Sequence, residues 1–502
     1  MRHPAWLLAW RSLWDRPRRT LLLLGGYGIG VGVMIALLSV SEALLTQARD
    51  RDLVAGGDLV LLPEGVDPAV LKVNAVTDLD FTIQQAEFIF REILNGPRFA
   101  PAVLAAAPQI EARQVYVRGR GQVRAAVASA GIPSLDRAAH ATGGVPGASD
   151  TDADRAWIAP TRADFLDRLD RFHEPPPGLK GTWAEWDYVN FVDPATGAYG
   201  YLTLLAGGEG RGAVLLRLRR PGHEVDDLAL DAAILPGDLA FTSASQRLGP
   251  ARVWNDGGRY RITVHDPRVQ ADLRLTPDPG YYLPPTEIAG STFISGYAVP
   301  VGHGWMDGQI RTARTALRLT HVPAYHDHNW GTWRGITWEW GEAGGEGGAV
   351  LYGALHVAPQ EGAASMGRPA VLFVWEAQHN GGKAAGGFLG AFTVRAIRYA
   401  GWHPGPRVSG RRVSVPAAIT VEGEAGPDRV RLEIKVRDVL ASVAAQAGPT
   451  EPSPTGRSQT PRIIFLQLRG EAQVRGTVDG RSVAFSGNAA AETFVRVERP
   501  QP

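Results

Sequence analysis

The chain has 502 residues, and its 52 basic and 51 acidic side chains leave a net charge of +1 at pH 7. This balance gives no support for a nucleic-acid partner. Cysteine is absent, which excludes disulfides and thiolate metal sites. The 60 glycines, 36 prolines and 44% hydrophobic residues are typical of a turn-rich folded protein with several domains.

The N-terminal segment has the pattern of a membrane anchor. Residues 21–40 form an uncharged apolar run, close to the ~20 residues that a helix needs to cross a bilayer. Arginines precede this run and charges of both signs follow it, so the positive-inside rule predicts a cytoplasmic N-terminus with the bulk of the chain extracytoplasmic. Tryptophans at helical spacing predict an interfacial helix over residues 1–20. We therefore expect a single-pass protein of the inner cell membrane, anchored by residues 21–45.

The predicted span contains two overlapping glycine pairs, Gly26 with Gly30 and Gly28 with Gly32. This spacing lets two membrane helices approach closely. The general abundance of glycine in membrane helices explains the pattern equally well. If the pairs mark a contact, the expected partner is the permease or ATPase of an ABC-type system.

Residues 46–140 have the mixed pattern of a small α+β domain. Asp58–Leu62 predicts a strand, Phe81–Leu94 predicts an amphipathic helix, and Gln114–Val127 alternates like a pair of strands. The following residues, 141–164, begin with a stretch rich in Gly, Ser, Thr and Asp and predict a linker.

Residues 1–140 resemble the N-terminal portion of ABC-type permeases of the macrolide-exporter and lipoprotein-release kind. The shared features are the Trp10–Trp14 elbow, the arginine-flanked span, Gly56–Val60, Gln109–Arg113 and Ala130–Pro133. Those permeases have three further spans that have no counterpart in this sequence. The resemblance therefore implies a small extracytoplasmic domain on an anchor and not transport by this chain.

From about residue 165 onward, short apolar and aromatic runs are broken by Gly, Pro or Asp every eight to twelve residues. This spacing is typical of antiparallel barrels or sandwiches. More than 300 residues of this pattern exceed one small barrel. We therefore predict two successive β-barrels, over residues 165–312 and 313–502.

The segment Tyr325–Gly331 contains the densest set of reactive side chains. In a strand its side chains alternate between two faces. A carboxyl group beside an aromatic ring on an inward face can become a proton donor, because an apolar surrounding raises its pKa. The two predicted faces are Tyr325, Asp327 and Asn329 on one side, and His326, His328 and Trp330 on the other.

Residues 165–500 resemble the carotenoid 1,2-hydratase (hydroxyneurosporene synthase) family and related lipocalin-like proteins. The motifs that carry the likeness are Phe172–Pro175, Lys180–Trp186, Asn190–Pro194, Tyr325–Gly331 and Trp338–Trp340. The resemblance implies tandem lipocalin-like (calycin) barrels with a ligand pocket within or between them. It also implies an apolar lipid or isoprenoid as the ligand.

The family resemblance assigns roles to individual residues. It implies that Asp327 protonates an isoprenoid double bond and that Tyr325 stabilises the resulting carbocation. Asp187 departs from the pattern, since family members carry an aromatic residue there. The remaining expected ligand contacts are Glu185, Trp186, Tyr297, His303, Trp305, His326, His328 and Trp330.

Each of these roles has a simpler alternative. His326 and His328 could bind a metal with His321 or His303, but no third ligand has a convincing spacing. Hydrogen bonds to the backbone of the motif are favoured, and no metal or cofactor is expected. Asp327 could be a structural carboxylate that accepts hydrogen bonds from a turn.

Two functions follow from these patterns. The first is a membrane-anchored enzyme, a hydratase (carbon–oxygen lyase) or cyclase/isomerase, that uses acid catalysis on an isoprenoid-type lipid. The second is a non-catalytic, lipid-binding lipocalin-like accessory subunit of an ABC-type export system. Turnover that depends on Asp327 would distinguish the first from the second.

Overall fold

The structure is a computed structural model. The predicted interfacial helix over residues 1–20 and the predicted span over residues 21–45 lie outside the described residues. Within the described part of the chain, no helix combines the length and apolarity needed to cross a bilayer. The described residues are 59–63, 81–94, 96, 98–119, 121–139, 147–290, 293–333, 336–357, 370–380, 383–408, 410–443 and 462–497.

The chain divides into two units, one comprising residues up to 81 together with 105–150, and the other comprising residues 82–104 and 151–502. Helices are few and short among the described residues of both units. They are α1 (Ile83–Phe88, continued by a π-helical turn over Ile89–Ile93), α2 (Pro133–Ala138), α3 (Asp152–Ile158) and α4 (Arg162–Leu169).

The first unit contains an antiparallel hairpin of β1 (Gln109–Gly119) and β2 (Gln122–Gly131), followed by α2. The predicted strand pair over Gln114–Val127 is therefore confirmed. Leu59–Leu62, by contrast, is not a strand, although its apolar run predicted one. A strand needs a partner as well as an apolar sequence, and this segment pairs with no described strand.

Helix α1 belongs to the second unit and not to the small domain predicted over residues 46–140. A capping box between Thr82 and Gln85 starts the helix. The ring of Phe88 then packs edge-on against Tyr282 and Phe388, with centroids 5.2 and 5.0 Å apart. The predicted linker over residues 141–164 is also incorrect in part, because it contains α3 and the start of α4.

Eleven strands of the second unit form a nearly closed barrel in the order β6-β5-β4-β3-β13-β12-β10-β9-β8-β7, with β11 beside β12. Aliphatic side chains such as Leu204, Ile262 and Leu275 fill its interior. The strands are β3 (Ala184–Val192), β4 (Tyr199–Gly207), β5 (Arg211–Arg219), β6 (Asp226–Ala233), β7 (Ser245–Leu248), β8 (Ala251–Asn255), β9 (Tyr260–Asp266), β10 (Val269–Pro277), β11 (Leu283–Ala289), β12 (Phe293–Thr312) and β13 (Ala316–Trp333).

Eight later strands form a closed barrel in the order β14-β15-β16-β17-β20-β21-β22-β23. The hairpin β18–β19 is a separate two-stranded sheet. The strands are β14 (Ile336–Gly345), β15 (Gly348–Val357), β16 (Ala370–Asn380), β17 (Lys383–Ala400), β18 (His403–Val408), β19 (Arg411–Val415), β20 (Ala418–Ala425), β21 (Asp428–Val443), β22 (Arg462–Val478) and β23 (Arg481–Val497).

The protein is thus mainly β, with tandem lipocalin-like barrels, as predicted. The boundary between the barrels differs from the expected position at residue 312. Strand β13 pairs with β3 and β12 and belongs to the first barrel, so the second barrel begins at Ile336. Apolar runs of similar strength lie on both sides of residue 312, and only strand pairing shows which barrel each run joins.

An aromatic core joins the two barrels. It is separate from the aliphatic interior of each barrel, and strands of both contribute to it. Its members include Tyr188, Tyr201 and Tyr325 from the first barrel, and Trp340, Trp375 and Phe388 from the second.

Candidate active site

Strand β13 is central in its sheet, with β3 on one side and β12 on the other. The predicted alternation of Tyr325–Gly331 is present, but the two faces have different surroundings from those expected. Asp327 and Tyr325 lie on the face toward the second barrel, beside Tyr188 of β3. His326 and His328 lie on the face toward the interior of the first barrel. The face that carries Asp327 is therefore the outer face of its own barrel, and the second barrel buries it.

The carboxyl group of Asp327 is surrounded by hydrogen-bond donors and is only 3% exposed. The hydroxyls of Tyr325 and Tyr297 donate to Oδ2 at 3.0 and 3.2 Å, and Asn329 Nδ2 donates to Oδ1 at 2.8 Å. The two phenol oxygens are 2.7 Å apart, and Trp340 Nε1 donates to that of Tyr297 at 2.9 Å. These five residues, which we call the Asp327 site, link β12, β13 and β14.

Electrostatics favour a proton on Asp327 near neutral pH. Burial raises the pKa of its carboxyl to about 7, and the nearby Glu492 carboxylate adds to the effect. Burial also raises the pKa of the Tyr297 and Tyr325 hydroxyls well above the ordinary value. Because both phenols stay neutral, they can donate to Asp327 when it is ionised. The carboxyl can therefore give up and regain a proton near pH 7.

Aromatic rings from both barrels surround this carboxyl. The ring of Trp340 lies 5.5 Å from Tyr325 and 5.6 Å from Tyr188, centroid to centroid, and Tyr188 stacks on Tyr201 at 6.1 Å. The faces of such rings attract cations through the ring quadrupole. The site thus combines a carboxyl group of raised pKa with aromatic rings, whose faces can attract a positive charge.

Two buried acids of the second barrel were not predicted. Glu342 of β14 accepts a hydrogen bond from Asn190 at 3.3 Å, and burial raises its pKa to about 8. Glu492 of β23 accepts one from Trp338 at 2.9 Å, and burial raises its pKa as well. Glu342 follows Trp340 by two residues, so its position on the same strand face was readable from the sequence. Glu492 has no comparable sequence signal.

The opposite face of β13 carries a second polar group, which we call the histidine–carboxylate cluster. Asp170, which ends α4, lies between both histidines. Its Oδ2 is 3.0 Å from His326 Nε2, and its Oδ1 is 2.7 Å from His328 Nδ1. His328 Nε2 lies 2.9 Å from Glu185 Oε1, which is also 2.8 Å from His173 Nδ1. The remaining members are Asp187, Gln246 and Tyr260.

Charges within this cluster are strongly coupled. Burial opposes ionisation of Asp170, yet His326 and His328 hold its pKa below the ordinary value. Burial likewise opposes the charge on His326, but the Asp170 carboxylate raises its pKa to about 9. Burial and the Asp170 charge raise the pKa of Asp187 to about 7. Asp187, the position that departs from the family pattern, therefore adds a third acid to this interior.

The other expected ligand contacts are dispersed. Tyr297 is in the Asp327 site, while Glu185, His326 and His328 are in the histidine–carboxylate cluster. Trp330 borders that cluster and stacks on His173 at 4.0 Å. The remaining three lie elsewhere: Trp186 contacts Trp333 at 4.7 Å, and His303 and Trp305 both bind Asp278.

The sequence raised the alternative of a metal site formed by His326 and His328 with His321 or His303. The structure does not bring these histidines together. His303 bonds to Asp278, and His321 stacks on Trp305 with centroids 3.8 Å apart. A different set converges instead. The ligand atoms of His173, Glu185 and His328 all lie within 4.8 Å of one another. Those of Asp170, Asp187 and His328 also meet this condition.

No family model matches the sequence, and no curated protein matches it. Several solved structures are similar to it. CghA with Sch210972 aligns with a TM-score of 0.45 and 10% identity, over 66% of this chain and 97% of that chain. A protein assigned as AttH from Nitrosomonas europaea aligns with a TM-score of 0.39 and 15% identity, over 64% and 96%. Kievitone hydratase from Nectria haematococca aligns with a TM-score of 0.39 and 7% identity, over 66% and 98%.

Proposed function

We propose that this protein is a hydratase- or cyclase-like enzyme that acts on an apolar, isoprenoid-type lipid by acid catalysis. One observation carries the proposal: a buried carboxyl group, Asp327, is bonded to two phenols within an aromatic core where two barrels meet. Such a carboxyl retains its proton near neutral pH and delivers it into surroundings suited to a cation. The sequence resemblance to carotenoid 1,2-hydratases agrees with this chemistry.

The reaction begins with transfer of the Asp327 proton to one carbon of a double bond. The π electrons form the new C–H bond and leave a tertiary carbocation on the neighbouring carbon. The rings of Tyr325 and Trp340 stabilise that cation, at ~2 kcal/mol or more when water is excluded. In hydration, a water oxygen then bonds to the cation and loses one proton to the Asp327 carboxylate. In cyclisation, a second double bond of the same molecule attacks, and the carboxylate takes up the proton that is lost.

The test compares wild-type protein, extracted in detergent, with Asp327→Asn and Tyr325→Phe. Bound lipids are identified by native mass spectrometry, and turnover of acyclic prenyl lipids is followed in heavy water. We expect one deuterium on product carbon with the wild type, and a rate about 10²- to 10⁴-fold lower with Asp327→Asn. Asp272→Asn, which changes a half-exposed carboxyl paired with Arg261, is the matched control and retains activity. Equal product from wild type and Asp327→Asn would refute acid catalysis by this residue.

The second candidate is a non-catalytic lipid carrier that serves an ABC-type exporter. The glycine pairs and the apolar run of residues 21–40 favour it, since they suit an anchor that docks on a permease. In both candidate functions we propose that this segment anchors the chain, with the barrels on the extracytoplasmic side of the inner membrane. The same mass spectra separate the two functions, because a carrier holds a chemically unchanged lipid in both wild type and Asp327→Asn.

A further inference from the structure

We propose that His173, Glu185 and His328 form a binding site for a divalent transition-metal ion of the Zn²⁺ class. This site lies on the opposite face of β13 from Asp327 and does not depend on the proposed catalysis. Glu185 Oε1 is 2.8 Å from His173 Nδ1 and 2.9 Å from His328 Nε2. Bonds of about 2.0–2.2 Å to one ion bring ligand atoms to roughly 3 Å from one another. The three side chains therefore need only a small adjustment to share an ion.

The orientation of His328 directs its Nε2 toward this point. Its Nδ1 lies 2.7 Å from Asp170 Oδ1, so the tautomer with its proton on Nδ1 donates to that carboxylate. In that tautomer Nε2 carries a lone pair and faces the carboxylate of Glu185, so a metal ion would take the place of the proton on Nε2 of the imidazolium. The two atoms are 2.9 Å apart, yet among the described residues Nε2 has no partner with the alignment of a hydrogen bond. A metal ion in place of the Nε2 proton would bind both Nε2 and the Glu185 carboxylate.

Outer residues hold each ligand in place. Asp170 also bonds to His326 and accepts from Tyr260 at 2.7 Å, which fixes the carboxylate that orients His328. The backbone N–H of His173 donates to Glu185 Oε1 at 3.0 Å. A carboxylate behind a metal-binding histidine is a common feature of protein metal sites. Two histidines and one carboxylate are a ligand set of Zn²⁺ and Fe²⁺ centres that keep open positions.

Access and charge also suit an ion. The side chain of His173 is 30% exposed, whereas those of Glu185 and His328 are 2% and 0% exposed. His173 also lines a cavity of about 160 Å³. On the inner side, Asp187 Oδ1 is buried and has no hydrogen-bond partner among the described residues. Three carboxyl groups thus lie around His328, and a doubly charged cation offsets the charge of those that are ionised.

The test uses the full chain, purified in detergent and treated with a chelator. Co²⁺ is titrated and followed by its visible absorption, Zn²⁺ is then added to displace it, and bound metal is counted by mass spectrometry. We expect one ion per chain and a higher thermal midpoint with Zn²⁺. His173→Gln and Glu185→Gln abolish the Co²⁺ spectrum, and Asp170→Asn weakens binding about 10- to 100-fold. His265→Gln, at a strand position outside the cluster, leaves binding unchanged.

His173→Gln decides the test if substitutions of the buried ligands prevent folding, because His173 is partly exposed. Failure of the chelated wild type to bind one equivalent of Co²⁺ or Zn²⁺ would overturn the proposal. So would equal binding by wild type and His173→Gln. In either case a proton, and not a metal ion, lies between His328 and Glu185.

Discussion

At the residue scale, the energetic contribution of a polar group in the interior depends on whether it has a hydrogen-bond partner. Tyr297 is partly buried and Tyr352 is fully buried, and the surroundings of their hydroxyls differ. Tyr297 bonds to Tyr325, Asp327 and Trp340, while the hydroxyl of Tyr352 has no partner among the described residues. Removing a bonded hydroxyl leaves its partners unsatisfied, whereas removing an unbonded one does not.

We therefore expect Tyr297→Phe to lower the free energy of unfolding by about 1–3 kcal/mol. Tyr352→Phe is the matched control and is expected to be neutral or stabilising, since it removes a buried polar atom without a partner. Urea unfolding, followed by circular dichroism, measures both. A larger loss for Tyr352→Phe than for Tyr297→Phe would contradict the hydrogen bonds described for the Asp327 site.

Glu342 makes stability depend on pH. Burial raises its pKa from 4.5 to about 8 in the folded protein. Between these values the unfolded chain releases the proton while the folded chain retains it, so this group lowers stability as the pH rises. The loss is limited to about 1.4 kcal/mol per pH unit.

Glu342→Gln removes this ionisation. Its thermal midpoint, relative to wild type, is therefore expected to rise progressively from about pH 5 to pH 8. Differential scanning calorimetry of both proteins over this range gives the comparison. If the difference between the midpoints stays constant with pH, Glu342 does not hold its proton as described.

At the scale of single elements, β13 is the strand on which both polar groups depend. Gly331, the last residue of the Tyr325–Gly331 motif on β13, has φ +139°. Residues with a side chain rarely adopt this backbone conformation. A Cβ there would lie 2.0 Å from the carbonyl oxygen of Ile294 on β12. The pairing of β12 with β13 therefore requires glycine at this position.

Gly331→Ala is expected to lower stability by about 2 kcal/mol or more, because it combines an unfavourable φ with a backbone clash. Gly353→Ala on β15 is the control, since an added Cβ there meets no atom within 4 Å. Chemical denaturation of the two variants measures the difference. Equal stability of the two variants would show that β12 and β13 can move apart at Gly331 without a loss of folding free energy.

At the scale of the whole molecule, the aromatic core makes the two barrels one unit. Trp340 is 7% exposed and contacts Tyr188 and Tyr325 of the first barrel from its place on β14. Further hydrogen bonds cross the junction, including Arg217 to Gln467 at 2.8 Å and Arg219 to Asp438 at 3.1 Å.

Trp340→Ala is expected to cost about 3–5 kcal/mol and to destabilise both barrels together. Hydrogen exchange, read by mass spectrometry on peptides of β3 and of β15, reports each barrel separately. Trp402→Ala is the control. It removes a tryptophan that is 49% exposed and is expected to leave both barrels protected from hydrogen exchange. Faster exchange in the second barrel alone would show that the barrels unfold independently.

Local sequence patterns alone predicted the two faces of the Tyr325–Gly331 strand and the tandem barrels. Alternation with period two separated Tyr325 and Asp327 from His326 and His328, because the geometry of a strand requires it. Regular turn spacing predicted the tandem barrels for a similar reason: each strand must be short and each turn must reverse the chain. Both inferences use neighbouring residues only.

Only the tertiary structure decided which residues surround each of the two faces of β13. Asp170 reaches His326 across 156 positions of sequence, and Glu342 reaches Asn190 across 152. Pairing of β13 with β3 placed Asp327 between the barrels and not inside one. Strand partners are set by the packing of the whole sheet, and burial between the barrels raises the pKa of Asp327. No local pattern contains the strand partners or the burial, so Asp327 could be singled out from the sequence but its surroundings could not.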